Sequence, residues 1–197
     1  MPLTDKQITT LSVSSKMISP FISRQVNQLE GGHKAISYGV SSFGYDIRPD
    51  PEQGLFLAGL LTPGMGVVDP KAFNPASTVQ LSLHTGPEGQ WWELPGHSYA
   101  LCSSVEYFRM PPYIVGLCFG KSTYARCCVE TNFTPLEPGW EGHLTIELAN
   151  AGDAPVRIYA NEGIAQVVFF EGEDYPNVTY DARDGKYQGQ EGVTFAK

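Results

Sequence analysis

Glycine and proline punctuate this chain so densely, 21 Gly and 15 Pro spread between short β-branched and aromatic runs, that a mostly β sandwich or barrel is favoured over a helical bundle. Helix is then the minority. Residues 54–58, 78–84, 91–94, 98–103, 105–108, 113–119, 154–159 and 163–170 read as strands. Residues 62–66 and 85–89 read as turns or insertions, and Pro111-Pro112 enforces a further turn. The alternation is strictest from His143 to Leu148, which sets Leu144, Ile146 and Leu148 on one face and His143, Thr145 and Glu147 on the other. Glu147 therefore points away from the aliphatic side. Thr4, ahead of Ile8 and Leu11 at helical spacing, predicts a short N-terminal helix. No repeat recurs at a fixed period, and 197 residues at 42% hydrophobic suit one domain spanning 1–197. Its last stretch, 183–197, is polar and Gly-bearing and reads as a mobile tail, although Lys186, Tyr187 and Gln190 equip it chemically.

A formal charge of −8, with only 13 Lys and Arg in total, argues against a nucleic-acid polymer as partner, because such binding neutralises many phosphates at once. A small anion held by a few local cations is compatible with it. Cys102, Cys118, Cys127 and Cys128 include an adjacent pair and no CxxC, so neither a disulfide framework nor a zinc knuckle is suggested, and a reducing cytoplasm fits. The N-terminus has no apolar signal region and no later run approaches a membrane span, so a soluble, unprocessed protein is expected.

The stretch from Gly120 to Glu147 gathers the chemistry. Gly120-Lys121-Ser122-Thr123 follows an apolar strand, but Gly116 stands one residue too close for the Walker pattern. What survives is a turn whose Ser122 and Thr123 hydroxyls, Lys121 ammonium and backbone N–H groups can hold phosphate oxygens, or an ordinary strand-to-helix cap at 122–126. Asp46 and Arg48, two apart on a strand, share a face and read as an ion pair at a surface or interface, or as a substrate contact. His33, His84, His97 and His143 are scattered, and neither HxE with PCxxC nor HExxH occurs, so zinc chemistry has no ligand set. Cys127 and Cys128 lack an identifiable base and are compatible with buried packing.

These residues carry a resemblance. GKSTYAR, then TPLEPGWEGHLTIELAN, ANEGIAQVVFF and KYQGQEG resemble, in that order, the dCTP deaminase family of the dUTPase-like superfamily, with similarity from SYGVSSFGYDIRP to the C-terminus. The resemblance implies a distorted, jelly-roll-like β-barrel with short helices. It also implies a homotrimer with active sites built from neighbouring subunits, dCTP as substrate, dTTP as an inhibitor, and Mg2+ with the triphosphate in place of zinc. No protein-held metal site is implied.

Carried over by position, Glu147 is the general acid/base, Arg126 helps organise the site and Ser122 lies beside the water and phosphates. Lys121, Ser122 and Thr123 match the first phosphate turn, with Tyr124 and Ala125 in the same substrate-contacting block. Thr145, Ile146 and Glu147 match the segment lining the base, and Gln166, Tyr180, Lys186 and Gln190 match later nucleotide contacts, the last two on a tail that closes over the triphosphate. Related dUTPases share the phosphate turn but lack the Arg126 and Glu147 pair. The chain departs from the family pattern in the loop 134–140, which is two residues shorter than usual and carries Glu137 in place of an Asp at a substrate-contacting position. Further insertions fall near 60–66 and 86–92. The resemblance leaves a bifunctional deaminase/dUTPase, or a catalytically silent nucleotide-binding regulator, as alternatives.

Overall fold

The computed structural model describes residues 1–59 and 67–197; the turn and insertion predicted at 60–66 lie outside the described residues. Helix α1 (Asp5–Ser15) starts where expected. Thr4 Oγ1 accepts from the Gln7 N–H and Gln7 Oε1 accepts from the Thr4 N–H, a capping box that satisfies two donors the first turn leaves open. Lys16 ends the helix in the left-handed region at φ 56°. Ile8 is fully buried, so α1 serves packing.

The strands that follow are β1 (Ile18–Ser19), β2 (Val26–Gln28), β3 (Lys34–Ser41), β4 (Gly44–Ile47), β5 (Leu55–Leu57), β6 (Val79–Gln80) and β7 (His84–Gly86). After them come β8 (Gly89–Leu94), β9 (Ser98–Arg109), β10 (Ile114–Gly120), the short helix α2 (Ser122–Ala125), β11 (Val129–Asn132), β12 (Glu141–Asn150), β13 (Val156–Tyr159) and β14 (Ala165–Glu171). One sheet runs β11-β12-β9-β5-β6 with β1 also on β9; a second runs β10-β14-β4-β3-β2; a third runs β13-β8-β7. The protein is mostly β with short helices, as predicted. Among the described residues the sheets keep open edges and do not close into one hydrogen-bonded barrel. No helix among them is long and apolar enough to cross a membrane.

Two predicted boundaries moved. The run at 78–84 is broken, with only Val79–Gln80 in β6 and β7 beginning at His84. The insertion near 86–92 forms the tight β7–β8 hairpin, in which Gly86 pairs with Gly89. Conversely, 98–103 and 105–108 belong to one strand, β9, and the interruption between them is a bulge: His143 pairs with Tyr107 and Thr145 with Ser103, so three residues of β9 face Leu144 alone. Ser104 mends the ladder there, its Oγ accepting from the Leu144 N–H at 2.8 Å and donating to the Glu106 carbonyl at 2.6 Å.

The alternation in β12 holds through its whole length. Leu144, Ile146 and Leu148 are buried in the common core, whereas His143, Thr145 and Glu147 are half-buried on the other face. Each aliphatic side chain so buried contributes roughly 1.5–3 kcal/mol. Phe108 of β9 meets Phe169 of β14 at 6.4 Å between ring centroids, which joins the two larger sheets through their apolar faces.

Asp46 and Arg48 do not pair with each other. Arg48 Nε donates to Glu106 Oε1 at 2.8 Å and its backbone N–H to Oε2 at 3.0 Å, while Asp46 is bound by Lys121 at 2.7 Å. Both carboxylates are buried, so the surface or interface ion pair expected between Asp46 and Arg48 is replaced by two internal pairs, one to Glu106 on β9 and one to Lys121 just after β10. A shared strand face brings two side chains to one side of a sheet without deciding which element packs there. The cysteines also differ from expectation: Cys127 and Cys128 are exposed in the turn after α2, with Cys128 at φ 62°.

Candidate active site

The face of β12 that turns from the core borders a cavity of about 600 Å³. Its walls include Tyr99 and Leu101 of β9, Thr145 and Glu147 of β12, Trp140 of the preceding loop, and Tyr180. Strand periodicity alone puts Glu147 there. Its partners come from the two flanking strands: Asn132 lies directly across on β11, and Tyr99 lies two residues from Leu101, the cross-strand partner on β9. Asn132 Nδ2 donates to Glu147 Oε2 at 2.7 Å and the Tyr99 hydroxyl donates to the same oxygen at 3.0 Å. Burial, and then the Glu147 charge, push the Tyr99 hydroxyl up to about 12, so it stays a donor across the neutral range. Neither Tyr99 nor Asn132 was singled out by sequence. Their relevance appears only once β9 and β11 are known to flank β12.

The C-terminal stretch adds Tyr187, Gln190, Thr194 and Ala196 to the wall. Gln190 runs beside Gly142, its carbonyl accepting from the His143 N–H at 2.9 Å and its Nε2 donating to the His143 carbonyl at 2.6 Å and to Thr145 Oγ1 at 3.3 Å. This approach needs glycine at 142, where φ is 149° and a Cβ would stand 3.0 Å from the Gln190 backbone N and O. Trp140 Nε1 donates to the Tyr187 carbonyl at 2.9 Å, and the Tyr187 N–H donates to the Tyr180 hydroxyl at 3.0 Å. Phe195 stacks on Phe73 at 5.4 Å and meets Phe56 edge-on at 5.9 Å. The tail thus has aromatic anchors that its polar composition hides. Glu137 lines the cavity and is paired with Arg183, while Lys186 is exposed with its ammonium 5.5 Å from the Tyr187 ring centroid.

A second cluster forms where β10 passes into α2. Lys121 caps the helix with its backbone, and its Nζ donates to Asp46 Oδ2 at 2.7 Å and to Ser37 Oγ at 3.2 Å. Asp46 also accepts from Gln25 Nε2 at 2.7 Å and from Gln166 Nε2 at 3.2 Å, so Gln166 and Lys121 meet on one buried carboxylate. Ser122, Thr123, Ala125 and Arg126 follow, with Ser122, Thr123 and Arg126 exposed, and Arg126 Nη1 donates back to the Ser122 carbonyl at 3.2 Å. Tyr124 turns inward, where its hydroxyl accepts from the Tyr159 N–H at 2.9 Å and burial pushes it up. Ile146 is likewise a core side chain, leaving only its backbone to the cavity side.

Within one chain the predicted residues therefore fall into two groups. Glu137, Thr145, Glu147, Tyr180 and Gln190 share the cavity; Lys121 to Arg126 and Gln166 do not line it. Arg126 forms no ion pair with Glu147. Among the described residues, no three His, Cys, Asp or Glu side chains stand together as a metal site.

A family model described as dCTP deaminase-like matches residues 2–172. The chain is 50% identical over 193 residues to a dCTP deaminase of Gemmatimonas aurantiaca, covering 98% of this chain and 97% of that one. It is 46% identical, with the same coverage, to a dCTP deaminase of Herpetosiphon aurantiacus. The fold is similar to the crystal structure of 2'-deoxycytidine 5'-triphosphate deaminase from Agrobacterium tumefaciens, with a TM-score of 0.55 and 17% identity over 87% of this chain. This chain spans about half, 48%, of that one.

Proposed function

The chain belongs to the dCTP deaminase-like family, and from this we propose that it is an enzyme that hydrolyses dCTP to dUTP and ammonia with Glu147 as general acid/base. The observation that carries the assignment of Glu147 is its place on the cavity wall, with one carboxylate oxygen held by Tyr99 and Asn132. With cytosine in the cavity, Glu147 takes one proton from a water whose oxygen bonds to C4, and that proton passes to N3. The tetrahedral carbon then carries a hydroxyl and an amino group. The hydroxyl proton travels through the same carboxylate to the amino nitrogen, the C4–N bond breaks, ammonia leaves and C4 keeps a carbonyl. One carboxylate placed beside both C4 and N3 suffices for every transfer.

The exposed turn of Ser122, Thr123 and Arg126 suits the triphosphate. Lys121 is committed to Asp46, so in this reading it braces the turn and the remaining donors face the phosphates. The turn supplies hydroxyls and N–H groups and no free carboxylate, which fits Mg2+ arriving with the nucleotide, where it neutralises phosphate charge. Because the turn does not line its own chain's cavity, a site combining the two needs a second copy of the chain, in line with a homotrimer. We place the enzyme in the cytoplasm, acting as one domain with 183–197 as a lid.

The test is incubation with each dNTP plus Mg2+, resolving ammonia, dUTP, dUMP and pyrophosphate, with a parallel arm under zinc-selective chelation. Ammonia and dUTP from dCTP, unaffected by the chelator, are expected. Appearance of dUMP and pyrophosphate would add a second hydrolytic step, and no product from any nucleotide would leave a silent binder.

Deleting residues 186–197 removes Gln190 and the Tyr187 carbonyl that holds Trp140, and opens the cavity to water. Turnover is expected to fall by ~10²-fold or more while the sheets still fold, since misplacement of this kind is costly even away from the reacting atoms. Sizing, thermal melting and dCTP turnover of the truncated protein check this. Protease cutting after Arg183 or Lys186 should slow when dCTP is added; full activity in the truncated protein would remove the lid from the mechanism.

A further inference from the structure

We infer that Tyr99 and Asn132 are positioning residues that together hold Oε2 of Glu147, leaving Oε1 alone to exchange protons with the water, N3 and the departing amino group. The inference rests on Glu147 being the acid/base proposed above. Both donors reach one oxygen, Asn132 at 2.7 Å and Tyr99 at 3.0 Å, and they come from the two strands on either side of β12. A glutamate has three rotatable side-chain bonds, and freezing them costs conformational entropy. Two hydrogen bonds made before substrate arrives remove that search from the reaction.

These bonds are not explained by folding. Within one chain Tyr99 is 39% exposed and Asn132 is exposed, so neither contact rescues a polar group that folding of the chain itself buries. Hydrogen bonds at such positions add little to stability. What they do fix is which oxygen is free. Oε2, with two donors on it, is the poorer proton acceptor, and the shuttle runs through Oε1 in both directions. Water's first proton goes to Oε1 and on to N3, and the hydroxyl proton goes to Oε1 and on to the amino nitrogen, so the carboxylate ends as it began.

Tyr99→Phe keeps the ring and removes one donor; Asn132→Leu removes the other. Each is expected to lower kcat by about 10-fold with KM and melting temperature little changed, because the carboxylate must then find its reacting geometry during turnover while the fold and the substrate contacts stay in place. Asn132→Asp places a second carboxyl where the amide donor was, and two carboxyls so close cannot both ionise, so the acid limb of its kcat profile should move to higher pH. A residue with a merely structural role would lower Tm and dCTP binding together. If Tyr99→Phe and Asn132→Leu both turn over at the wild-type rate while Glu147→Gln is inactive, the positioning role is overturned and the acid/base stands. If Glu147→Gln itself stays active, the acid/base reading falls first.

Discussion

Glu147→Gln is expected to retain dCTP binding and lose turnover by ~10²–10⁴-fold, the usual range for removing general acid/base catalysis. The amide keeps the shape of the carboxylate, and its oxygen can still accept from Asn132 and Tyr99, so the cavity wall is preserved. It cannot take a proton from water. Binding is retained because the triphosphate is held elsewhere in the proposed site, at Ser122, Thr123 and Arg126. Equilibrium binding of dCTP with Mg2+ and single-turnover release of ammonia separate the two quantities. Near-normal ammonia release from the pure variant would reduce Glu147 to a strand residue and end the proposed mechanism.

The largest stability effect is expected at Glu106, whose carboxylate is fully buried and meets Arg48 through both oxygens. Burial pushes this carboxyl up and the Arg48 guanidinium pulls it back. Glu106→Ala leaves a guanidinium with only 11% side-chain exposure and no counter-charge. The cost is expected at ~3–5 kcal/mol, or roughly 10 °C in Tm for a chain of this size. Replacing both partners by apolar residues, Arg48→Met with Glu106→Leu, should recover part of that loss, because desolvating the charged pair offsets most of its attraction, while the Arg48 backbone N–H still loses its acceptor. Urea and thermal unfolding of the single and double variants check both statements. A single variant as stable as the parent would mean that water reaches the pair.

Both sites show how far local pattern reaches. The period of two in β12 was enough to separate Glu147 from Leu144, Ile146 and Leu148, and Thr4 ahead of Ile8 and Leu11 marked the start of α1. Side-chain chemistry in 122–126 marked a strand passing into a short helix. The tail was harder to read, because Phe195 stands far from the other aromatic of a polar stretch, Tyr187, and its partners Phe56 and Phe73 come from distant parts of the chain. Asp46 and Arg48 misled for the same reason: spacing told which way they point and nothing about what waits there.

Strand faces, the helix start and the chemistry-bearing turn were legible in the chain's local pattern, since covalent geometry and capping act over one to four residues. The partners were fixed by long-range packing. Lys121 reaches Asp46 across 75 positions, Arg48 reaches Glu106 across 58, and Tyr99 reaches Glu147 across 48. The first follows from the order β10-β14-β4 in one sheet, the last from β11-β12-β9 in the other, and the second from how the two sheets pack. Sheet order is set by which apolar faces bury together over the whole chain, and a periodicity of two cannot carry that information.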